Sequence, residues 1–358
     1  MKRLNTFVFC LFGLLLPSMA QTEVAPFRPG VTLEGVNYFL PKTVFEIILT
    51  TEKTVTKPGE FAAYADRFLR RKDVPTEEST QWTIKNVALL AYGVPDSSKA
   101  YTIQLKPKTS APLVSLTDDG LLLGVNKQVL PEAIPPLPQG VPAPKPVNGH
   151  DFMTREILTA GSTAKMAQLT AEEIYDLRES RNSLIRGESE NMPKDGAQLK
   201  LMLDNLDQQI AALETLFKGQ MLTSTEVLSF DFEPGTGIDE NGTKQMLCRF
   251  SRRLGLVDTD DLSGEPLWIT IKPVGTFPAS SDNEAVAKKK AKMEQGLYVN
   301  QPRRAQVTIV SAAQTLLTTE VPIAQLGTTE ILSSVLFNKK METRVTIHQQ
   351  TGSVREIE

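Results

Sequence analysis

The sequence predicts an α+β protein, two β-rich, sandwich-like lobes with an antiparallel helical hairpin inserted between them. Three observations carry that expectation. Period-two apolar runs bounded by turn residues fill residues 35–126 and return from 223 to 358. Between them, two stretches switch to the three-and-four spacing of amphipathic helices. A proline-rich segment, LPEAIPPLPQGVPAPKPVNG at 130–149, separates the first β region from the helices.

Residues 1–20 read as a signal peptide: Lys2 and Arg3, an apolar stretch from Phe7 to Leu16, then Pro17-Ser18-Met19-Ala20 before Gln21. The apolar stretch is shorter than the roughly 20 residues that span a bilayer, and no later segment comes closer. The mature chain is therefore expected to be exported, with no integral membrane segment, to the periplasm, the outer-membrane surface or the medium. Cys10 leaves with the signal, and Gln21 stands where a lipoprotein carries its cysteine. Cys248, alone in the apolar run QMLCRF, is expected to be a buried, inert thiol. After cleavage 37 basic residues face 42 acidic ones, a balance that argues against nucleic acid as a partner.

An N-terminal β-rich lobe is expected over 21–130, with strands in VFEIILT, WTIKNVALL, YTIQL, LVSL and LLLGV. YGVPDSS and TDDG supply turn chemistry between them, and Asp119-Gly120 fits a hairpin turn. One short helix, 58–71, interrupts this lobe, because Phe61, Tyr64, Ala65, Phe68 and Leu69 share a face after Pro58; a sheet is its expected partner. Residues 131–149 form a linker of polyproline character, or an ordered arm crossing the surface.

The helical hairpin occupies 150–222. Its first helix, about 171–186, is marked by Thr170 as N-cap, Glu173 closing a capping box, and a Leu169–Ile174 staple. The second, about 196–218, runs from Asp195 to Gly219 with Leu199, Leu203, Leu206, Ile210, Leu213 and Phe217 on one seam. From 223 to 358 a C-terminal β-rich lobe is expected, closing on a hairpin turned by Thr351-Gly352, with a short exposed helix in the lysine-rich EAVAKKKAKMEQG. GVNYFLP (35–41) and GLYVNQP (296–302) share a frame of Gly, Tyr and Pro and read as matched leading strands of the two lobes. After the proline their alternation differs by one residue: Phe45, Ile47 and Leu49 lie four, six and eight on, whereas Val307 and Ile309 lie five and seven on.

Common catalytic sets are missing. Two histidines, His150 beside the prolines and His348 in the last hairpin, give no dyad by sequence, and with one mature cysteine they give no zinc spacing. There is no G-x-S-x-G elbow, Walker loop or dinucleotide fingerprint. TDDG, VDTDD and DFEPGTGIDENG are acidic enough for calcium, but turn chemistry accounts for each and none follows the EF-hand pattern. No catalytic, cofactor-binding or metal residue is expected. Asp231 and Glu233 share a strand face by alternation and are the one carboxylate pair suited to glycoside hydrolysis. Arg181 falls in the apolar stripe of the first helix; it and Arg178 either pair with Asp204 or Asp207 of the second helix or present an anion or partner site. Tyr38, Tyr92 and Tyr298 are candidate rings for stacking on a glycan.

RPGVTLEGVNYFLPKTVFEI, KPGEFAAYADRFLR, YGVPDSSKAYTIQL, SLTDDGLLLGVN, TAEEIYDLRESRN, NMPKDGAQLKLML and the late GLYVNQP with LFNKK occur in order across nearly the whole mature chain. Together they resemble the domain-of-unknown-function family 4831, exported proteins typical of Bacteroides-type Gram-negative envelopes. The resemblance implies export and a shared fold, and no activity, cofactor or catalytic residue. Leu297-Tyr298-Val299 departs from it by lacking a second aromatic after the first, which weakens an aromatic platform there. The expectation is an exported, non-enzymatic envelope protein that binds or assembles through a protein–protein surface. A glycan-binding module is the alternative, and a glycosidase built on paired carboxylates a lesser one.

Overall fold

The computed structural model describes residues 22–27, 35–105, 113–189, 192–193, 195–275, 296–312, 314–333 and 343–358. Residues 1–20, expected from sequence to be a signal peptide, and most of the lysine-rich stretch lie outside the described residues. The strands are β1 (Thr22–Pro26), β2 (Gly35–Lys57), β3 (Ser79–Leu105), β4 (Val114–Leu116), β5 (Leu122–Val125), β6 (Gln220–Phe232), β7 (Thr243–Ser251), β8 (Gly255–Val257), β9 (Glu265–Pro273), β10 (Gly296–Val310), β11 (Thr315–Ser333), β12 (Val345–Ile347) and β13 (Val354–Ile357). Three antiparallel sheets result, ordered β1-β3-β2-β6, β11-β10-β9-β7-β8 and β13-β12-β5-β4. The protein is β-rich and α+β, as its sequence predicts.

Two β cores form, but not one from each half of the chain. The first joins Phe45, Ile47 and Leu49 of β2 to Ile269 and Ile271 of β9 and Val307 and Ile309 of β10. The second joins Tyr38 and Leu40 of β2 to Leu122 of β5, Leu297 and Val299 of β10, and Val345 and Ile347 of β12. The division into lobes 21–130 and 223–358 is therefore corrected: strands from both segments build each core. The cause is strand length. β2 runs for 23 residues and β3 for 27, so one hairpin serves both bodies.

A bulge marks the point where each hairpin passes from one body to the other. Between Phe39 and Pro41 of β2, the partner strand advances from Ala100 to Pro95. Between Gln301 and Arg303 of β10, the partner advances from Thr328 to Ile323. In both hairpins two steps on the first strand face five on the second. YGVPDSS thus carries the turn chemistry expected of it, with Ser98 N–H and Oγ donating to Asp96 Oδ1 at 2.9 and 2.6 Å, yet it makes a bulge inside β3 rather than a loop between strands. The bulge centres on Leu40 in GVNYFLP and on Pro302 in GLYVNQP, one place further along. Counted from the bulge, Phe45 and Ile47 match Val307 and Ile309, so the one-residue offset disappears.

GVNYFLP and GLYVNQP also touch each other. Tyr298 N–H donates to the Tyr38 hydroxyl at 3.1 Å, and Asn300 Nδ2 donates to Pro41 O at 2.9 Å. Asn300 Nδ2 reaches Thr351 O as well, at 2.9 Å. Gly352, at φ 72°, turns the last hairpin as expected; a Cβ there would lie 2.6 Å from Pro41 Cδ. β4 and β5 form the hairpin expected around Asp119-Gly120, Gly120 taking φ 89°.

The helices are α1 (Ala65–Leu69), α2 (Arg155–Leu158), α3 (Thr163–Arg186) and α4 (Gly196–Lys218). α4 follows its sequence signals, with Asp195 accepting from Ala197 N–H at its start and Gly219 at its end. α3 begins eight residues before the expected Ala171. Ser162 is the cap, accepting from Lys165 N–H at 3.2 Å, and Thr170 sits buried inside the helix with its hydroxyl on Met166 O at 2.8 Å. The good helix formers between them carry the helix through the apparent capping box. The short helix expected over 58–71 is a 3₁₀ turn, Ala62–Tyr64, followed by α1. It packs on the hairpin base rather than on a sheet: Phe61 and Phe217 meet edge to face at 5.4 Å, in a cluster with Ile174 and Leu213.

Residues 131–148 form an ordered arm with every side chain exposed. Polar contacts pin it at three places. Glu132 N–H donates to Gln349 Oε1 at 2.8 Å, Val147 exchanges two bonds with the Gln220 amide, and Val141 N–H donates to Thr225 Oγ1 at 2.8 Å. Thr225 N–H returns a bond to Val141 O at 2.8 Å. The arm thus passes from β3 to β6 and shields part of the free β6 edge, a common protection against pairing with other chains.

Candidate functional site

Helical spacing places Arg178 and Arg181 on the α3 face toward α4, and there both find carboxylates. Arg181 Nε and Nη2 grip Asp207 at 2.5 and 3.2 Å, which raises the guanidinium pKa. Arg178 Nη2 meets Glu214 at 2.6 Å, and Lys218 reaches the other oxygen of Glu214 at 2.9 Å. Burial opposes the charge on Glu214, but the hydrogen bonds from Lys218 and Arg178 outweigh it and hold its carboxyl below the usual range. An anion site built on these arginines is corrected by this geometry: their charge is spent locking the two helices together.

The three tyrosines separate. Tyr38 is fully buried, and burial pushes its hydroxyl well above the ordinary range, so it has no face for a sugar and that expectation is corrected. Tyr298 stacks on Tyr101 with centroids 4.1 Å apart and planes 13° from parallel, so one face is taken by another ring. Tyr92 is half-buried on β3, with the Asp231 carboxylate in its electrostatic neighbourhood. Burial first, then the neighbouring Asp231 carboxylate, pushes the phenol up to about 12.

The carboxylate pair is divided between partners. Asp231 lies opposite Glu46 across the β2–β6 ladder, whereas Glu233 binds Lys42 Nζ at 2.7 Å. Cys248 is buried in the first β core, and desolvation pushes its thiol up to about 12, which leaves little thiolate near neutrality. His150 Nε2 lies 2.7 Å from Glu60, and His348 belongs to the β12–β13 turn. In the acidic loops Asp119 accepts from the Thr117 hydroxyl, Asp261 from Ser263 N–H at 2.8 Å, and Glu240 forks onto Arg303 at 2.6 and 2.8 Å. Among the described residues no group of three or more His, Cys, Asp and Glu side chains is placed to hold a metal ion.

Among the described residues, and apart from a shallow space between residues 140–143 of the arm and β6, two concave surfaces bear on function. One is a groove of about 520 Å³ along the distal half of the helical hairpin, with Leu184, Met202 and Leu206 among its walls and Ser180, Ser183 and Asn205 beside them. The buried residues of α3 and α4 concentrate at 167–174 and 210–217, so the hairpin is clamped at its base. Beyond Ile174, α3 continues for 12 residues, about 18 Å, and there Ile185, Leu201 and Met202 are exposed. The other is a cavity of about 260 Å³ under the start of the arm, between Tyr92 and the β12–β13 turn.

A family model described as Domain of unknown function (DUF4831) matches residues 34–355. The chain belongs to this family. No curated protein and no solved structure matches it. The DUF4831 match starts one residue before β2 and ends inside β13, so the family unit spans the interleaved fold, arm and hairpin together. Among the described residues of this DUF4831 chain, no helix is long and apolar enough to cross a membrane. Of the two concave surfaces, the first is an apolar groove on a braced pair of helices, the second a small mixed cavity beneath the arm. Sequence reasoning located the apolar seam of the hairpin but missed the cavity, whose walls come from β3, the arm and the last hairpin, segments far apart in the chain.

Proposed function

We propose that this protein is an exported, non-enzymatic component of a Bacteroides-type Gram-negative envelope that binds or assembles through a protein–protein surface. The distal helical hairpin carries the reading. Leu199, Leu203 and Leu206 continue the buried seam of Leu213 and Phe217 outward, yet they are only half-covered, with exposed Leu201 and Met202 alongside. Two helices cannot close such a seam by themselves, and a third surface completes it. The Arg181–Asp207 and Arg178–Glu214 pairs hold the two helices in register, so little order is lost on docking. The start of the sequence supports export: a basic end, a short apolar run and a small-residue cleavage point before Gln21.

The test is site-specific photo-crosslinking from position 201 in intact cells, followed by isolation of the adduct. One defined protein adduct is expected, lost when Met202→Asp is added while the melting temperature is kept. Absence of any adduct from 201 and from 185 would sink the reading. Fractionation with N-terminal sequencing of the mature chain tests export; a cytoplasmic chain that retains residues 1–20 refutes it.

A further inference from the structure

The cavity beneath the arm has a different chemistry from the hairpin groove. Leu90, Ile134 and Pro135 give it an apolar wall, Tyr92 gives it an aromatic ring, and Gln349 and Gln350 bring two side-chain amides. The ring is carried by the long strand β3 and is half-buried there, with Asp231 among the charges near it. Gln349 is held in place, its Oε1 accepting from Glu132 N–H at 2.8 Å, which leaves its NH₂ group to serve a ligand. One carboxylate, Glu132, lines the space, paired at 3.3 Å with Arg355, which does not line it; among the described residues no lysine or arginine does.

Each feature narrows the ligand. Absence of a lining cation, with Asp231 and Glu46 on the neighbouring strands, disfavours phosphates and carboxylates. A purely apolar ligand would displace water from the half-buried Gln349 and Gln350 amides without replacing its hydrogen bonds, which disfavours it. A ligand with one apolar face and a rim of neutral hydroxyls satisfies both sides, because its C–H face lies on the tyrosine ring while amides donate to and accept from its hydroxyls. At about 260 Å³ the space lies just under the usual range for drug-sized ligands and suits one ring.

We propose that the cavity bounded by Tyr92, Ile134, Gln349 and Gln350 binds one pyranose ring of a neutral saccharide. This site is separate from the hairpin groove and does not depend on the hairpin reading. The arm forms one wall, so the residues that set its position also set the site.

The test is calorimetric titration of the mature protein with a panel of neutral mono- and oligosaccharides, their sulfated and uronic counterparts, and short neutral peptides. Saturable one-to-one binding of a neutral saccharide is expected. Tyr92→Ala should weaken it at least about tenfold, while Tyr92→Phe, which keeps the ring, stays within about threefold. Gln350→Ala should also weaken it, and Leu201→Asp on the hairpin should leave it unchanged. Melting curves check folding; should Tyr92→Ala fail to fold, Gln350→Ala decides. The proposal is overturned if no neutral saccharide binds saturably, if only anionic sugars or peptides bind, or if affinity is unmoved in the folded variants.

Discussion

Phe217 shows how a single side chain serves the whole hairpin. It is fully buried and meets Phe61 edge-on, so the clamp at the hairpin base rests on a ring pair. Phe217→Ala is expected to cost about 3–5 kcal/mol, read as a lower denaturant midpoint, with faster cleavage between α3 and α4 by added protease. Glu214 adds a pH dependence whose sign follows from its depressed pKa. Its contribution is complete above the unfolded carboxylate value of 4.5 and is lost as pH falls through the lower folded value. Glu214→Gln should therefore be less stable than the native chain near pH 7, and the gap should narrow as the pH falls below 4.5 and through the depressed folded value. A gap independent of pH would show that the Arg178 and Lys218 bonds do not act through charge.

Among the elements, the arm is the most exposed to a small change. A Cβ on Gly140 would collide with Thr225 O, a backbone atom that cannot step aside. Gly140→Ala should lift the arm from β6, seen as rapid proteolysis within 131–147 while the melting temperature moves little. Signals that act over a few residues were legible in the sequence: the Asp119-Gly120 and Thr351-Gly352 turns, the Asp195 and Gly219 ends of α4, and the α3–α4 pairing. The start of α3 was obscured because Ser162 and Thr170 both look like caps, and only the residues between them decide which one acts. Strand continuity was harder still, since the Asp96–Ser98 turn has the same local chemistry in a loop and in a bulge. Of the candidate sites, helical spacing put Arg181 toward α4 correctly. Burial of Tyr38 could not be read, because a strand's inward face is fixed by partners more than two hundred residues away. The Tyr92 cavity was invisible for the same reason, its roof coming from the arm and its floor from β3 and the last hairpin.

At the scale of the whole molecule, interleaving is the governing fact. β5 pairs with β12 and β2 packs against β10, so neither β core is complete within one half of the sequence. Residues 21–130 expressed alone are expected not to fold, giving a circular dichroism spectrum without a cooperative thermal transition; a cooperative melt would contradict the interleaved cores. The intact chain should lose both bodies together, because β2 and β3 belong to each.

Interleaving also sets a timetable. Tyr38 bonds to Tyr298 and Lys127 to Glu358, contacts that close stretches of 260 and 231 residues. Early in synthesis the β2–β3 hairpin exists with its inner face uncovered, and nothing made before β7 can cover it in the first core. Such long-range closures slow folding. Until the last strands arrive, the unfinished chain carries two bare apolar faces, so its most vulnerable period falls between the emergence of β3 and that of β12, when a holding chaperone has the most to protect.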